Sequence, residues 1–285
     1  MLKFGACVTP ITVSTVLVVM AGSLMPTLAA WLLITAGPMV AVGLLLGAGE
    51  RTACQILLGA RRLTPTELKA LAPAVAILSR NRLGPPFIEL AGHTRSTVAV
   101  HAHGVGRRTV ILSAGLVRAA RLQQLPPQEI AAVIAHSATS VRARAVRHDL
   151  VLRYWALPWK VACLAVVGIG RCLWPLRPVL SAGWALRALP AIVAAVQSAQ
   201  QGYPAIAVAI VTLLVVTYAH PWAERAWARH LEDLGDQGVI DAGFAGPLAD
   251  FLSRLPPTVR LDERTYRLDQ HREAPSLGRH LHLVP

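Results

Sequence analysis

The sequence predicts a mostly helical α+β integral membrane protein with about four transmembrane helices and a small sheet. Three observations carry this expectation. Hydrophobic residues make up 54% of the 285-residue chain and charged residues only 15%, which excludes a disordered chain and argues against an ordinary soluble enzyme. Residues 4–49 contain no charged side chain. The formal charge is +13, from 28 Lys+Arg against 15 Asp+Glu. On so apolar a chain, that excess marks loops held on the cytoplasmic side of a membrane. Aromatic residues are 5% of the chain, too few for base-stacking platforms, so no nucleic-acid partner is expected.

The charge-free run is too long for a signal-peptide core or for a single span, since about 20 residues cross the hydrocarbon. Pro26 divides it into helices over about 6–24 and 27–48, a hairpin that makes residues 1–50 the first membrane segment. Both of its ends return to one side. The stretch Glu50–Leu150 that follows carries 14 Arg/Lys, so that side is expected to be the cytoplasm and the host the plasma membrane. Residues 151–222 form a second membrane region. Its clearest part is 203–222, with aromatic residues at both edges. Its weakest part is 150–175, which holds Lys160 and ends at Arg171. That part reads either as a tilted span or as an interfacial helix. Cys7, Cys54, Cys163 and Cys172 form no C-x-x-C pair and read as free thiols.

The soluble parts are 51–150 and 223–285. Thr64-Pro65-Thr66-Glu67 is a capping box opening a helix that runs to about Arg80. Asn81–Pro86 is a turn cluster. Thr97–His101 and Thr109–Ser113 read as β-strands around Gly104 and Gly106; that glycine pair reads as a turn, with no helix N-terminus behind it to cradle a phosphate. A helix over 127–147 shows an apolar stripe at Ile130, Val133, Ile134 and Val141. Arg142, Arg144 and Arg147 follow it and read as lipid-headgroup contacts. From Ala223 to Leu255 the pattern is helical, with interruptions at Gly235 and Gly243. The tail from Pro256 reads as a polar surface segment.

Four features taken together resemble the HtpX-like membrane zinc metallopeptidases, the group that includes the CAAX prenyl proteases. The order is two spans, a soluble part, two spans, a soluble part. His101-Ala102-His103-Gly104, with the strand ending at Gly115-Leu116, resembles the family's substrate-binding edge strand. Glu129 through His136 stands where the family carries H-E-x-x-H, and Glu224 through Gly235 resembles the helix that supplies the third zinc ligand. The resemblance spans roughly residues 10–255. It implies zinc as cofactor, with His136 and Glu224 as ligands, and a bilayer and a protein segment in the cleft as partners.

The chain departs from the family where the chemistry is done. Ser137 stands at the general-base position, Ser140 at the second-ligand position, and Ala228 where the family has Asp. A serine hydroxyl is neutral near pH 7, ligates zinc poorly and is a poor proton acceptor. The expected function is therefore that of a catalytically silent relative that keeps its cleft for a protein segment. The alternatives are an active membrane metalloendopeptidase with a shifted site of His103, His136 and Glu224, or a membrane scaffold with vestigial similarity. Ser137 and Ser140 beside His136 lack an orienting carboxylate in the sequence and read as locally hydrogen-bonded. Changing Ser137 to Glu and Ser140 to His is expected to restore zinc if the helix is placed as in the family.

Overall fold

The structure, a computed structural model, describes residues 2–95, 98–172, 186 and 188–272. It is mostly helical with one small sheet and divides into two compact units. One contains residues 1–43 and 151–229, the other 44–150 and 230–285.

In the first unit, α1 (Leu2–Ser23) and α2 (Thr27–Leu46) meet at a short turn around Pro26, as the sequence predicts. The 150–175 stretch is not one helix. It breaks at Ala156 into α7 (Asp149–Trp155) and α8 (Leu157–Cys172), because Pro158 has no N–H to continue the ladder. α9 (Ala188–Gln200) precedes α10 (Pro204–Asp241). Among the described helices, α2 and α10 are long and apolar enough to cross a membrane. The apolar windows of both are almost unburied within the protein, unlike the core helix of a soluble fold. Leu28 is 76% exposed and Val208 65%, and apolar surface of that extent calls for a non-aqueous neighbour.

Polar side chains join the helices of this unit. Thr9 and Ser14 are buried. Thr9 Oγ1 donates to the Val216 carbonyl at 3.2 Å, and Ser14 Oγ accepts from the Trp159 amide at 3.1 Å. Buried hydroxyls need such partners, and these two tie α1 to α10 and α8. Cys7 and Cys163, and Cys54 in the second unit, form no disulfide.

The second unit holds a four-stranded sheet ordered β1-β2-β4-β3, with α3 (Glu50–Leu58) preceding it. β1 (Ala60–Arg61) runs antiparallel to β2 (Glu89–His93). β2 runs parallel to β4 (Thr109–Leu112), and β4 pairs antiparallel with β3 (Ala102–Val105), Ala102 opposite Leu112 and Val105 opposite Thr109. β3 is therefore an edge. The expected strand over 97–101 is displaced: Thr97 lies outside the described residues, 98–101 are not strand, and pairing begins at Ala102. The carbonyls of Val98 and Ala99 crowd Gly115, where a Cβ would lie 2.4 and 2.6 Å from them. That segment packs against the start of α5 (Ala114–Arg121) instead of extending the ladder. β1 and β2, rich in small and charged residues, carry no period-two signal and are not legible in the sequence.

α4 (Pro65–Arg80) opens on the expected box: Thr64 Oγ1 accepts from the Glu67 amide, and Glu67 returns to the Thr64 amide. Arg61 adds a two-pronged ion pair to the Glu67 carboxylate at 2.8 and 2.7 Å. With the Arg61 hydrogen bond leading and those of Thr64 assisting against burial, the Glu67 pKa falls to about 2. α6 (Pro127–Arg142) is the central helix of the unit. Ile130 to Ala135, Ala138 and Val141 are all buried. The sequence stripe thus underestimates it, since the intervening alanines let α6 pack on several sides. It ends at Arg142, short of the expected 147, and Arg144 at φ 58° turns the chain away.

Two further expectations are corrected in the C-terminal part. α10 does not stop at Gly235; it runs to Asp241, and the break is at Gly243, φ 77°. Gly235 serves close packing, described below. The segment after Pro256 is not all surface tail. α11 (Ala245–Leu252) is followed by α12 (Val259–Asp269), capped by Thr258 and anchored by a fully buried Leu268. Its sequence offers Val259, Leu261, Tyr266 and Leu268 as apolar side chains on a strongly charged helix, too sparse a stripe to read as core-facing.

Candidate functional site

His136 is on α6, and what surrounds it comes from α10 and α12. Gly235 lets α10 approach: a Cβ there would lie 2.5 Å from His136 Nε2. One turn on, a Cβ at Gly238 would lie 2.1 Å from Thr139 Cγ2. Side chains at 235 and 238 would hold the two helices apart. The glycines bring Asp236 Oδ1 to 3.2 Å from His136 Nε2. Asp236 is itself 5% exposed and Arg264, on α12, 14%.

Arg264 closes the cluster. Its Nε donates to Asp236 Oδ2 at 2.8 Å and its Nη2 to Oδ1 at 2.6 Å, the bidentate fork that matches a carboxylate. The same Nη2 is 3.3 Å from His136 Nε2. A guanidinium only donates, so Nε2 accepts from Arg264 in one tautomer and donates to Asp236 in the other. Burial pushes the Asp236 carboxyl up, but hydrogen bonds from His136 and Arg264, with the guanidinium's charge, outweigh it and hold the carboxyl below its ordinary range. Around this core, Arg260 pairs with Glu232 and Arg267 with Asp233. Three arginines on one face of α12 thus meet three carboxylates on α10.

The two serines sit differently. Ser137 and Ser140 are both buried. Ser140 Oγ donates to the Ser137 carbonyl at 2.7 Å. Gly104 of β3 lies against them: its Cβ would fall 2.5 Å from the Ser137 carbonyl and 2.6 Å from Ser140 Oγ. Glycine is what allows the edge strand to lie on α6 at this point. At the other end of α6, the buried Glu129 carboxyl is raised by burial first, then by nearby Asp250, against the pull of Arg254.

The remaining sequence-predicted site residues are spread out. Glu224 is 63% exposed and lies 3.5 Å from His220, one turn back on its own helix. The carboxylate that meets His136 is Asp236, about three turns further along α10. His101 is exposed, and His103 and Ala102 are half-buried on β3. Among the described residues no three His, Cys, Asp or Glu side chains gather as a group that could hold a metal ion. The donor set at His136 does not fit a catalytic zinc centre, which needs three ligands and an open position. Here one imidazole stands beside a carboxylate already engaged by a guanidinium, and the fixed positive charge of Arg264 opposes a second cation.

Asp236 and Arg264 are absent from the sequence reading. Their signal was the i,i+4 pair Glu232/Asp236 answered by the i,i+4 pair Arg260/Arg264, a complementary charge pattern on two helices. Comparison with family models, with curated proteins and with solved structures returns no match.

Proposed function

We propose that this chain is a multi-pass plasma-membrane protein whose second unit lies in the cytoplasm, and that it is a catalytically silent relative of the HtpX-like zinc metallopeptidases that binds an extended protein segment. The observation that carries the silence is the engagement of His136 by Asp236 and Arg264. An imidazole held by a carboxylate and a guanidinium, with buried hydroxyls at 137 and 140, neither grips a metal nor activates water. The apolar, unburied α2 and α10 support the membrane part, and the 14 Arg/Lys of residues 50–150 its orientation. α1, and α8 within the 150–175 stretch, supply the other two spans of the four-span reading.

Edge strand β3 is the docking element. The Ser113 amide donates to the His101 carbonyl at 3.0 Å. In an antiparallel ladder this turns the backbone of His101 and His103 toward β4 and that of Ala102 outward. A segment added here would pair with Ala102 and run alongside β3.

Two measurements test the proposal. Purified full-length protein is expected to hold no stoichiometric zinc and to leave casein uncut. Zinc that is lost on His136→Ala, with cleavage, overturns the silent assignment. Membrane co-purification should then lose its bound protein on Ala102→Pro, which removes the outward N–H; identical partners in the variant would mean the edge is not used.

A further inference from the structure

α4 is apolar on two faces. Leu71, Ala74 and Leu78 enter the core. Leu68, Ala72, Val75 and Ala76 line a separate open cleft of about 740 Å³, whose other wall is Ile88 and Leu90. The volume suits a small-molecule ligand, and the lining is largely apolar. Leu68 is 49% exposed in it.

The mouth of this cleft is basic. Arg51 of α3 and Arg108 of the β3–β4 turn line it. The neighbouring Arg107 reaches the end of α2, where its Nη2 donates to the Leu45 carbonyl at 2.5 Å and its guanidinium packs on Gly47. Arg107 Nε is buried without an acceptor. The acidic groups facing this cluster are engaged. Glu50 Oε1 accepts from the amides of Arg107 and Arg108 and from Thr109 Oγ1, and Glu89 pairs with Arg51. Arg108 is exposed and makes no ion pair among the described residues.

We infer that the cleft binds one anionic phospholipid, its headgroup at Arg51, Arg107 and Arg108 and one acyl chain along Leu68, Val75, Ile88 and Leu90. This rests on the reading of α2 as a membrane span. That reading puts Leu45, and Arg107 bonded to it, at the headgroup level, where basic side chains attract anionic lipid. An apolar cleft opening beside those arginines matches an amphiphile with an acidic head. A soluble anion would leave the Leu68–Val75 face bare, and a neutral lipid would leave the exposed Arg108 unanswered.

The test uses the full chain in nanodiscs of phosphatidylcholine alone or mixed with phosphatidylglycerol, followed by native mass spectrometry. One retained phosphatidylglycerol is expected, with no phosphatidylcholine taking its place. Retention should fall roughly tenfold or more in the Arg51→Gln/Arg108→Gln double variant, since each cation contributes about a factor of five. It should fall similarly in Ala72→Trp, which fills the cleft from an exposed position. Equal retention in both variants, or none in the wild type, overturns the site. So does a lipid-free two-copy species that Ala72→Trp dissociates, which would make the cleft a self-association surface. Carbonate extraction of membranes is read separately. Release of the wild type would overturn the span reading whatever lipid is retained, while a membrane-retained protein that binds no phosphatidylglycerol fails on the cleft alone.

Discussion

Gly235 lies so close to His136 that a methyl group on its α-carbon would stand 2.5 Å from the imidazole Nε2. That contact is what brings α10, and with it Asp236, onto α6. Gly235→Ala is therefore expected to destabilise the second unit by about 1–3 kcal/mol, the usual cost of overpacking. Gly238→Ala should behave similarly because Thr139 is equally near. Thermal unfolding in detergent measures both. An unchanged melting temperature would mean the helices separate without loss.

Arg264 and Asp236 form the most buried ion pair of the cluster, at 14% and 5% exposure. Removing one partner strands the other charge in a poor solvent. Arg264→Ala should cost about 3–5 kcal/mol, whereas the apolar double variant Asp236→Leu/Arg264→Met should recover most of the loss. A double-mutant cycle in denaturant reads the coupling, and additive single effects would contradict it.

Glu67 makes stability depend on acid. Its pKa in the folded protein is about 2, against an ordinary 4.5, so its contribution is complete above about 4.5 and disappears as pH falls toward about 2. With Arg61 partly exposed, the whole contribution is on the order of 1–3 kcal/mol. Arg61→Gln should lower stability at neutral pH and flatten this acid dependence. Unfolding curves for both proteins across the acid range check it, and parallel curves would remove Arg61 as the cause.

Ser140 faces Gly104 and spends its hydroxyl on the Ser137 carbonyl. The sequence led to the expectation that Ser137→Glu/Ser140→His would restore zinc. With β3 backbone against that position, an imidazole there has no room, and Arg264 already stands beside His136. The double variant is now expected to bind no zinc and to unfold at lower temperature than wild type. Stoichiometric zinc in a folded double variant would show that the strand yields and that this account of the packing is mistaken.

How far the sequence reaches varies from element to element. The α1–α2 hairpin follows from a long run without charge and one proline. The start of α4 follows from four consecutive residues whose hydrogen bonds are local. β4 follows from its β-branched run. In each case the determining forces act between residues close in the chain or between the chain and its solvent. β1 and β2 lack such signals because they exist only through pairing with distant partners. The same holds for α12, whose buried Leu268 and three arginines make sense only against α11 and α10.

At the site, the sequence determined that His136 lies on a helix with serines at 137 and 140, and that charges of opposite sign sit on segments near 232–236 and 260–267. Tertiary structure alone decided which carboxylate meets the imidazole. Glu224 and Asp236 share one helix and one chemistry. The choice of Asp236 comes from the two glycines that let α10 touch α6 there, and from the arginine that α12 brings over it. Local sequence encodes where a helix starts and which face is greasy; it does not encode which of two similar side chains a distant ring will find.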